Sequence, residues 1–202
     1  MRLASPTADL SVRPALPEDA PMIGDIHART LRASLAAGLG HELDAAVREI
    51  LDADHFASQW HEAITAPPSN QHRVLTALDG ARVVGFAAYA PAEVPVEIVR
   101  AEQREAEDGS MLAGSDTPPT AEILALEVPA AEQRRGHGSR LLAACADLVR
   151  DQGMERVQIW IVKNDESRTR FLSEAGFAPA GARRTLDVAG DDVEEICWFA
   201  GL

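Results

Sequence analysis

The sequence predicts an α/β protein: a single three-layer α/β/α domain built on one mixed, twisted sheet with helices on both faces. Three observations predict it. Two alternating apolar runs, 72–78 and 82–89, flank Asp79-Gly80, a strong hairpin-turn signal. Between 122 and 175 the pattern reads strand, helix, strand, helix, which makes the two strands parallel neighbours joined by a right-handed crossover. Two last strands, 177–183 and 193–201, are joined at a Gly190-Asp191 turn.

The elements follow in order. Residues 1–9 read as an N-terminal tail, and 10–202 as the domain. A short alternating run at 10–13 is the first strand. Pro17, Glu18 and Asp19 start a helix, with proline in the first turn and acids at the positive end of the dipole. Ile23, Ile26, Leu31 and Leu35 carry its apolar stripe as far as Gly38. A second helical region spans 41–65, with a break near Asp52 to Asp54, and Pro67 and Pro68 end it. Residues 91–120 hold prolines, acids and glycine and read as an irregular insertion, with a short helix at 97–105 and a loop beyond it. A strand at 122–128 comes next. The helix at 139–152 has an apolar face of Leu141, Leu142, Cys145, Leu148 and Val149, and Gly153 closes it. A strand rich in β-branched residues spans 156–162, and a helix at 166–175 ends at Gly176.

Composition narrows the function. The 202 residues suit one domain, and 46% apolar content suits an ordinary core. No apolar run is long enough to span a membrane, and the first residues lack a secretory pattern, so a cytoplasmic location is expected. A net charge of −13 argues against a nucleic-acid partner held by phosphate neutralisation; it permits a cationic acceptor such as an amine. Cys145 and Cys197 lie among apolar neighbours and read as buried small hydrophobes. The spacing of His41, His55 and His61 does not suit a metal set, and no metal is expected. Phe56 and Trp60, one helical turn apart, read as packing residues, as do Trp160 and Trp198 in their strands.

The chemistry is concentrated in one turn. Between the strand at 122–128 and the next helix lies Gln133-Arg134-Arg135-Gly136-His137-Gly138-Ser139. Glycines at 136 and 138 let the backbone turn sharply and expose its N–H groups. The helix behind brings unsatisfied donors and a partial positive charge, and Arg134 and Arg135 add full charges. Such a turn suits a pyrophosphate, each charge-assisted hydrogen bond contributing about 1.5–3 kcal/mol. His137 fills the variable position. No Gly-Lys-Ser/Thr follows, so this is not a P-loop, and a glycine pair alone equally suits a solvated turn.

The surrounding run, EILALEVPAAEQRRGHGSRLL, resembles the signature of the Gcn5-related N-acetyltransferase family. Its Gln/Arg-x-x-Gly-x-Gly/Ala pattern is met by Gln133, Gly136 and Gly138, after a Leu-x-Val strand end at Leu126, Glu127 and Val128. FLSEAGF at 171–177 is similar to the family's Phe-Tyr-x-x-x-Gly-Phe segment. The resemblance implies a sheet of six or seven strands whose two central parallel strands splay apart to admit the pantetheine arm of coenzyme A. It implies acetyl-coenzyme A as cosubstrate. Backbone groups of Leu126, Glu127 and Val128 would meet the pantetheine, and Gln133, Arg134, Arg135, Gly136, His137, Gly138 and Ser139 would hold the pyrophosphate. Asn164 would be a further coenzyme contact, or else the N-cap of the helix that follows.

The implied reaction is attack of an amine on the thioester, and near pH 7 only on the order of one alkyl amine in a thousand is neutral. Glu122 is the candidate general base, 14 positions before Gly136, as in the histone-acetyltransferase branch of the family. By strict alternation it shares a face with Leu124, Leu126 and Val128, which leaves Glu127, the second candidate, on the opposite face. Where the family places a thiolate-protonating tyrosine this chain has Leu172; Tyr89, its only tyrosine, or water are the replacements. An acyl-coenzyme A-binding module without catalysis and a protein binding another diphosphate are the rival readings. The acceptor, small molecule or protein, is not legible, and a homodimer stays open.

Overall fold

The computed structural model describes residues 10–92, 94, 95, 98 and 118–202. The tail at 1–9 and most of the insertion expected at 91–120 lie outside them.

Within the described residues the chain forms β1 (Leu10–Pro14), a 3-10 turn at Pro17–Asp19, α1 (Ala20–Leu39), α2 (Ala45–Ile50), α3 (Ala53–Thr65), β2 (Arg73–Asp79) and β3 (Arg82–Pro91). After the insertion come β4 (Thr120–Glu127), a 3-10 turn at Ala130–Glu132, α4 (His137–Asp151), β5 (Arg156–Val162), α5 (Glu166–Glu174), β6 (Ala178–Val188) and β7 (Asp191–Gly201). The elements expected within the described residues are present, with ends shifted by a few residues; the short helix expected at 97–105 lies outside them except for residue 98. The largest change is the last hairpin: β6 runs on to Val188 and turns through Ala189 and Gly190, both left-handed. The expected helical break falls at Leu51 and Asp52, where Asp52 accepts the backbone N–H of His55 at 2.8 Å and caps α3.

The described strands form one sheet in the order β1-β2-β3-β4-β5-β7-β6. β4 and β5 are parallel. All other pairs are antiparallel. Two apolar layers cover it. On one face α4 and α5 bury Leu141, Cys145, Val149 and Leu172 against Ala87, Ile123, Leu126, Val157 and Ile159. On the other, α1 buries Ile23 and Ile26 against Phe86, Ala88 and Ala125. Further along, Leu35 packs with Val47 of α2 and with Val162 and Val193. The result is the three-layer arrangement with a mixed seven-stranded sheet that the pattern predicted. Gly24 lets α1 and α3 approach: a Cβ there would stand 2.5 Å from Ala53 O. Cys145 and Cys197 are buried free thiols on opposite faces, and burial pushes both pKa values up to about 12.

One irregularity positions the site. β3 and β4 pair as Phe86↔Glu127, Ala87↔Leu126 and Ala88↔Ala125, then resume as Tyr89↔Ile123. Leu124 has no residue opposite it, so β4 carries a bulge there, and Leu124 is 56% exposed although its strand is central. The bulge inverts the alternation expected of β4. Ala121, Ile123 and Leu126 face α4. Glu122 and Glu127 both face α1. Glu122 therefore does not share a face with Leu126, and Glu127 is not opposite to it; a bulge leaves no mark in the hydrophobic pattern of so short a run.

Candidate active site

The two central strands part company early. β4 and β5 pair from Thr120↔Arg156 to Ile123↔Ile159, and no pair follows. Beyond that point β4 stays with β3 as far as Glu127, and β5 stays with β7 as far as Val162. The bulge at Leu124 supplies the local twist that turns β4 away. An opening through the sheet results, bounded by 124–127 on one bank and by 160–162 and the start of α5 on the other.

The glycine turn sits at the end of the first bank. Gln133 Nε2 donates to Val128 O at 3.0 Å and fixes the chain leaving β4. Arg134 and Gly136 take left-handed φ values of 62° and 80°. α4 then begins at His137, and no side chain caps it. Its first amides are thus available to an anion. Gly85 lets β3 close on this bank, since a Cβ there would stand 2.8 Å from Glu127 O. Gly138 packs beside Phe171, its Cβ position 3.5 Å from the ring. Between α4 and α5 an open groove of about 560 Å³ starts at Ser139 and is lined by Leu142, Ala143, Phe171 and Ala175.

Several expected residues stand differently. The Arg135 guanidinium does not point to the turn's open side: it pairs with Glu132 at 2.6 Å and Asp79 at 3.0 Å, in a network completed by Arg82. His137, at the variable position of the turn, is 2% exposed, and burial, with Arg140 and Arg135 nearby, lowers its pKa. Asn164 is exposed and left-handed at φ 75°, and it is not the N-cap. Asp165 caps α5, accepting the Arg168 N–H at 3.0 Å. Leu172 is fully buried against the α4 side of the sheet. Tyr89 lies in that same core, its hydroxyl 3.2 Å from Gln152 Nε2 at the far end of α4, and burial raises its pKa. Both features make Tyr89 a packing residue. Trp198 is core as expected, whereas Trp160 is half-buried on the α1 side beneath the Arg184 guanidinium.

The carboxylates on the α1 side have separate partners. Half-buried Glu122 accepts from Gln158 Nε2 at 2.8 Å, across the last paired stretch before the opening. Glu127, 7% exposed, accepts from Arg168 Nη2 at 2.7 Å. Glu195 accepts from Arg184 at 2.6 Å. Glu127 and Glu195 are thereby neutralised by guanidinium groups, and Glu122 meets a neutral amide.

His27 was not among the residues singled out from the sequence. It occupies the α1 face defined by Ile23 and Ile26, four positions after Ile23, and that spacing was the available signal. Its ring lies 4.5 Å from Phe56, 5.5 Å from Trp60 and 5.8 Å from Phe86 between centroids. Nδ1 is sealed from solvent without a hydrogen-bond partner among the described residues. Burial lowers the pKa below its ordinary 6.5; Glu127 opposes that shift and Arg168 adds to it. The unfolded state therefore binds the proton first as pH falls. The stability contributed by neutral His27 is complete above about 6.5 and erodes from there toward the lower folded value. Denaturant titrations at pH 7.5 and 5.5 are expected to show a smaller loss on acidification in His27→Phe than in the parent chain.

The comparisons agree with this architecture. The sequence profile of the acetyltransferase (GNAT) family matches residues 40–177, and the chain belongs to that family. A GCN5-related N-acetyltransferase of Rhodopseudomonas palustris superposes with a TM-score of 0.64 at 18% identity, over 96% of this chain and 97% of its own. The PaiA N-acetyltransferase of Thermoplasma acidophilum, solved in complex with coenzyme A, gives 0.62 at 15% identity, over 92% and 97%. Salmonella typhimurium yncA, solved with its cofactor acetyl-CoA, gives 0.60 at 19%, over 96% and 94%. No curated protein matches the chain at a significant level. Among the described residues, no helix is long and apolar enough to cross a membrane.

Proposed function

We propose that the protein transfers the acetyl group of acetyl-coenzyme A directly to a primary amine, on a small molecule or a protein, with Glu122 as general base. The observation that carries this reading is the opening between β4 and β5, with the glycine turn at one end and Glu122 beside the last strand pair at the other. Left-handed Gly136, the uncapped start of α4 and the close approach at Gly85 form a backbone cradle that suits a pyrophosphate followed by an extended arm. The coenzyme contacts would be the backbone of Leu126, Glu127 and Val128, the amides from Gln133 to Ser139, and Asn164 at the opposite bank. Neighbours of like fold solved with coenzyme A or acetyl-CoA support the use of that cosubstrate.

Glu122 would take a proton from the incoming ammonium. The freed nitrogen forms the C–N bond as the C–S bond breaks, and the excess proton left on that nitrogen passes through water to the departing thiolate, since Leu172 and Tyr89 are both closed within the core. Glu127 is the poorer candidate because its carboxylate is occupied by the Arg168 guanidinium. A non-catalytic acyl-coenzyme A-binding module is the second reading, favoured by Leu172 at the tyrosine position. Calorimetry and a thiol-release assay over an amine panel separate the two. Coenzyme A binding with amine-dependent thiol release is expected. Binding without release under any amine would establish the module instead.

A further inference from the structure

The two banks of the opening are tied by a partly buried ion pair, and the tie is itself braced. Glu127 ends β4 on one bank. Arg168, in the first turn of α5, belongs to the other. Nη2 of Arg168 donates to Glu127 Oε2 at 2.7 Å, and the two side chains are 20% and 9% exposed. Arg168 Nε lies 3.6 Å from Asp165. Asp165 in turn caps α5 and accepts from Ser34 Oγ of α1 at 2.9 Å. Glu127 of β4 and Asp165 at the head of α5 therefore meet one guanidinium, and Ser34 of α1 holds Asp165, at a level where the sheet's own ladder between β4 and β5 has stopped.

We infer that Arg168 is a positioning residue: its bridge to Glu127 holds the two banks at one spacing, so that the coenzyme arm meets a preformed slot and its reactive end emerges only between Glu122 and Ala125. The inference rests on the acetyl-coenzyme A reading above. With no backbone hydrogen bonds across the gap, the bridge is the polar link that fixes its width. A desolvated pair suits that task, because breaking it strands a buried charge. The groups facing Arg168 are Glu127, Asp165 and Glu195, and His27 lies within the field of both bridge partners.

The test is a split of steady-state constants in the full chain. Arg168→Ala is expected to raise the KM for acetyl-coenzyme A, and the calorimetric Kd for coenzyme A, about tenfold, with kcat at saturation within about threefold of the parent. Arg168→Lys, which keeps the charge but not the fork, should recover part of that loss. If Arg168→Ala does not fold, the charge-free pair Glu127→Met with Arg168→Met takes its place and should shift KM and Kd in the same direction. A folded variant with unchanged KM and Kd, or only a lowered Tm, would overturn the inference. Tighter binding would overturn it too, by showing that the bridge blocks the slot. A parent chain that neither binds coenzyme A nor releases thiol would instead defeat the functional reading on which the bridge's role depends.

Discussion

Glu122→Gln is expected to lower kcat/KM for amine acetylation about 10²–10⁴-fold, the range of a positioned general base, with coenzyme A affinity unchanged. The substitution keeps the shape of the side chain and an oxygen for Gln158 Nε2, now 2.8 Å away, so the sheet has no reason to rearrange. It removes only the capacity to hold the ammonium's proton. Glu127 cannot substitute, because its carboxylate is committed to Arg168 at 2.7 Å. The deficit should shrink as pH rises toward the amine's own pKa, where neutral amine no longer needs a base. Rate profiles between pH 7 and 10 for both chains check this; parallel profiles at equal rates would remove Glu122 from the mechanism.

Gly136→Val is expected to weaken coenzyme A binding by about tenfold or more, because a β-branched residue at a left-handed φ costs about 1–2 kcal/mol and each 1.4 kcal/mol is a factor of ten. The position has φ 80° and immediately precedes the first turn of α4, so relieving the strain re-aims the amides that follow. The Cβ itself is a lesser obstacle. It would stand 2.8 Å from Arg140 Nη1, the end of a flexible side chain. Gly136→Asn separates the two causes, since asparagine tolerates this conformation and should retain most of the affinity. Calorimetry on both variants, with thermal melts to confirm folding, is the measurement. Equal Kd values for parent and valine variant would show that the turn is not the pyrophosphate cradle.

What the sequence made legible was local. Asp79-Gly80 specified a hairpin, the glycines at 136 and 138 specified a turn into a helix, and β-branched residues at 156–162 specified a central strand; each signal lies within a few residues. What escaped it was set by partners far along the chain. Arg135 looked available because one of the two carboxylates that hold it, Asp79, is 56 residues away, and the nearer one, Glu132, belongs to a 3-10 turn with no sequence signature. The bridge from Arg168 to Glu127 spans 41 residues and has no motif. Asn164 read as a coenzyme contact or else the N-cap, and the left-handed backbone there hands the capping role to Asp165. The faces of Glu122 and Glu127 were lost for a different reason. Period-two reasoning assumes an unbroken ladder, and one unpaired residue reverses it.

That unpaired residue also decides how β4 can be studied. A substitution scan along the strand must be read in two frames. Before Leu124, odd-numbered positions report on packing beneath α4, and Glu122, the even-numbered one between Ala121 and Ile123, reports on the cleft. After it, parity changes hands: Leu126 reports on packing, and Ala125 and Glu127 report on the α1 side. A scan interpreted in a single frame would assign the loss at one carboxylate to chemistry and the loss at the other to stability, although both project into the same space.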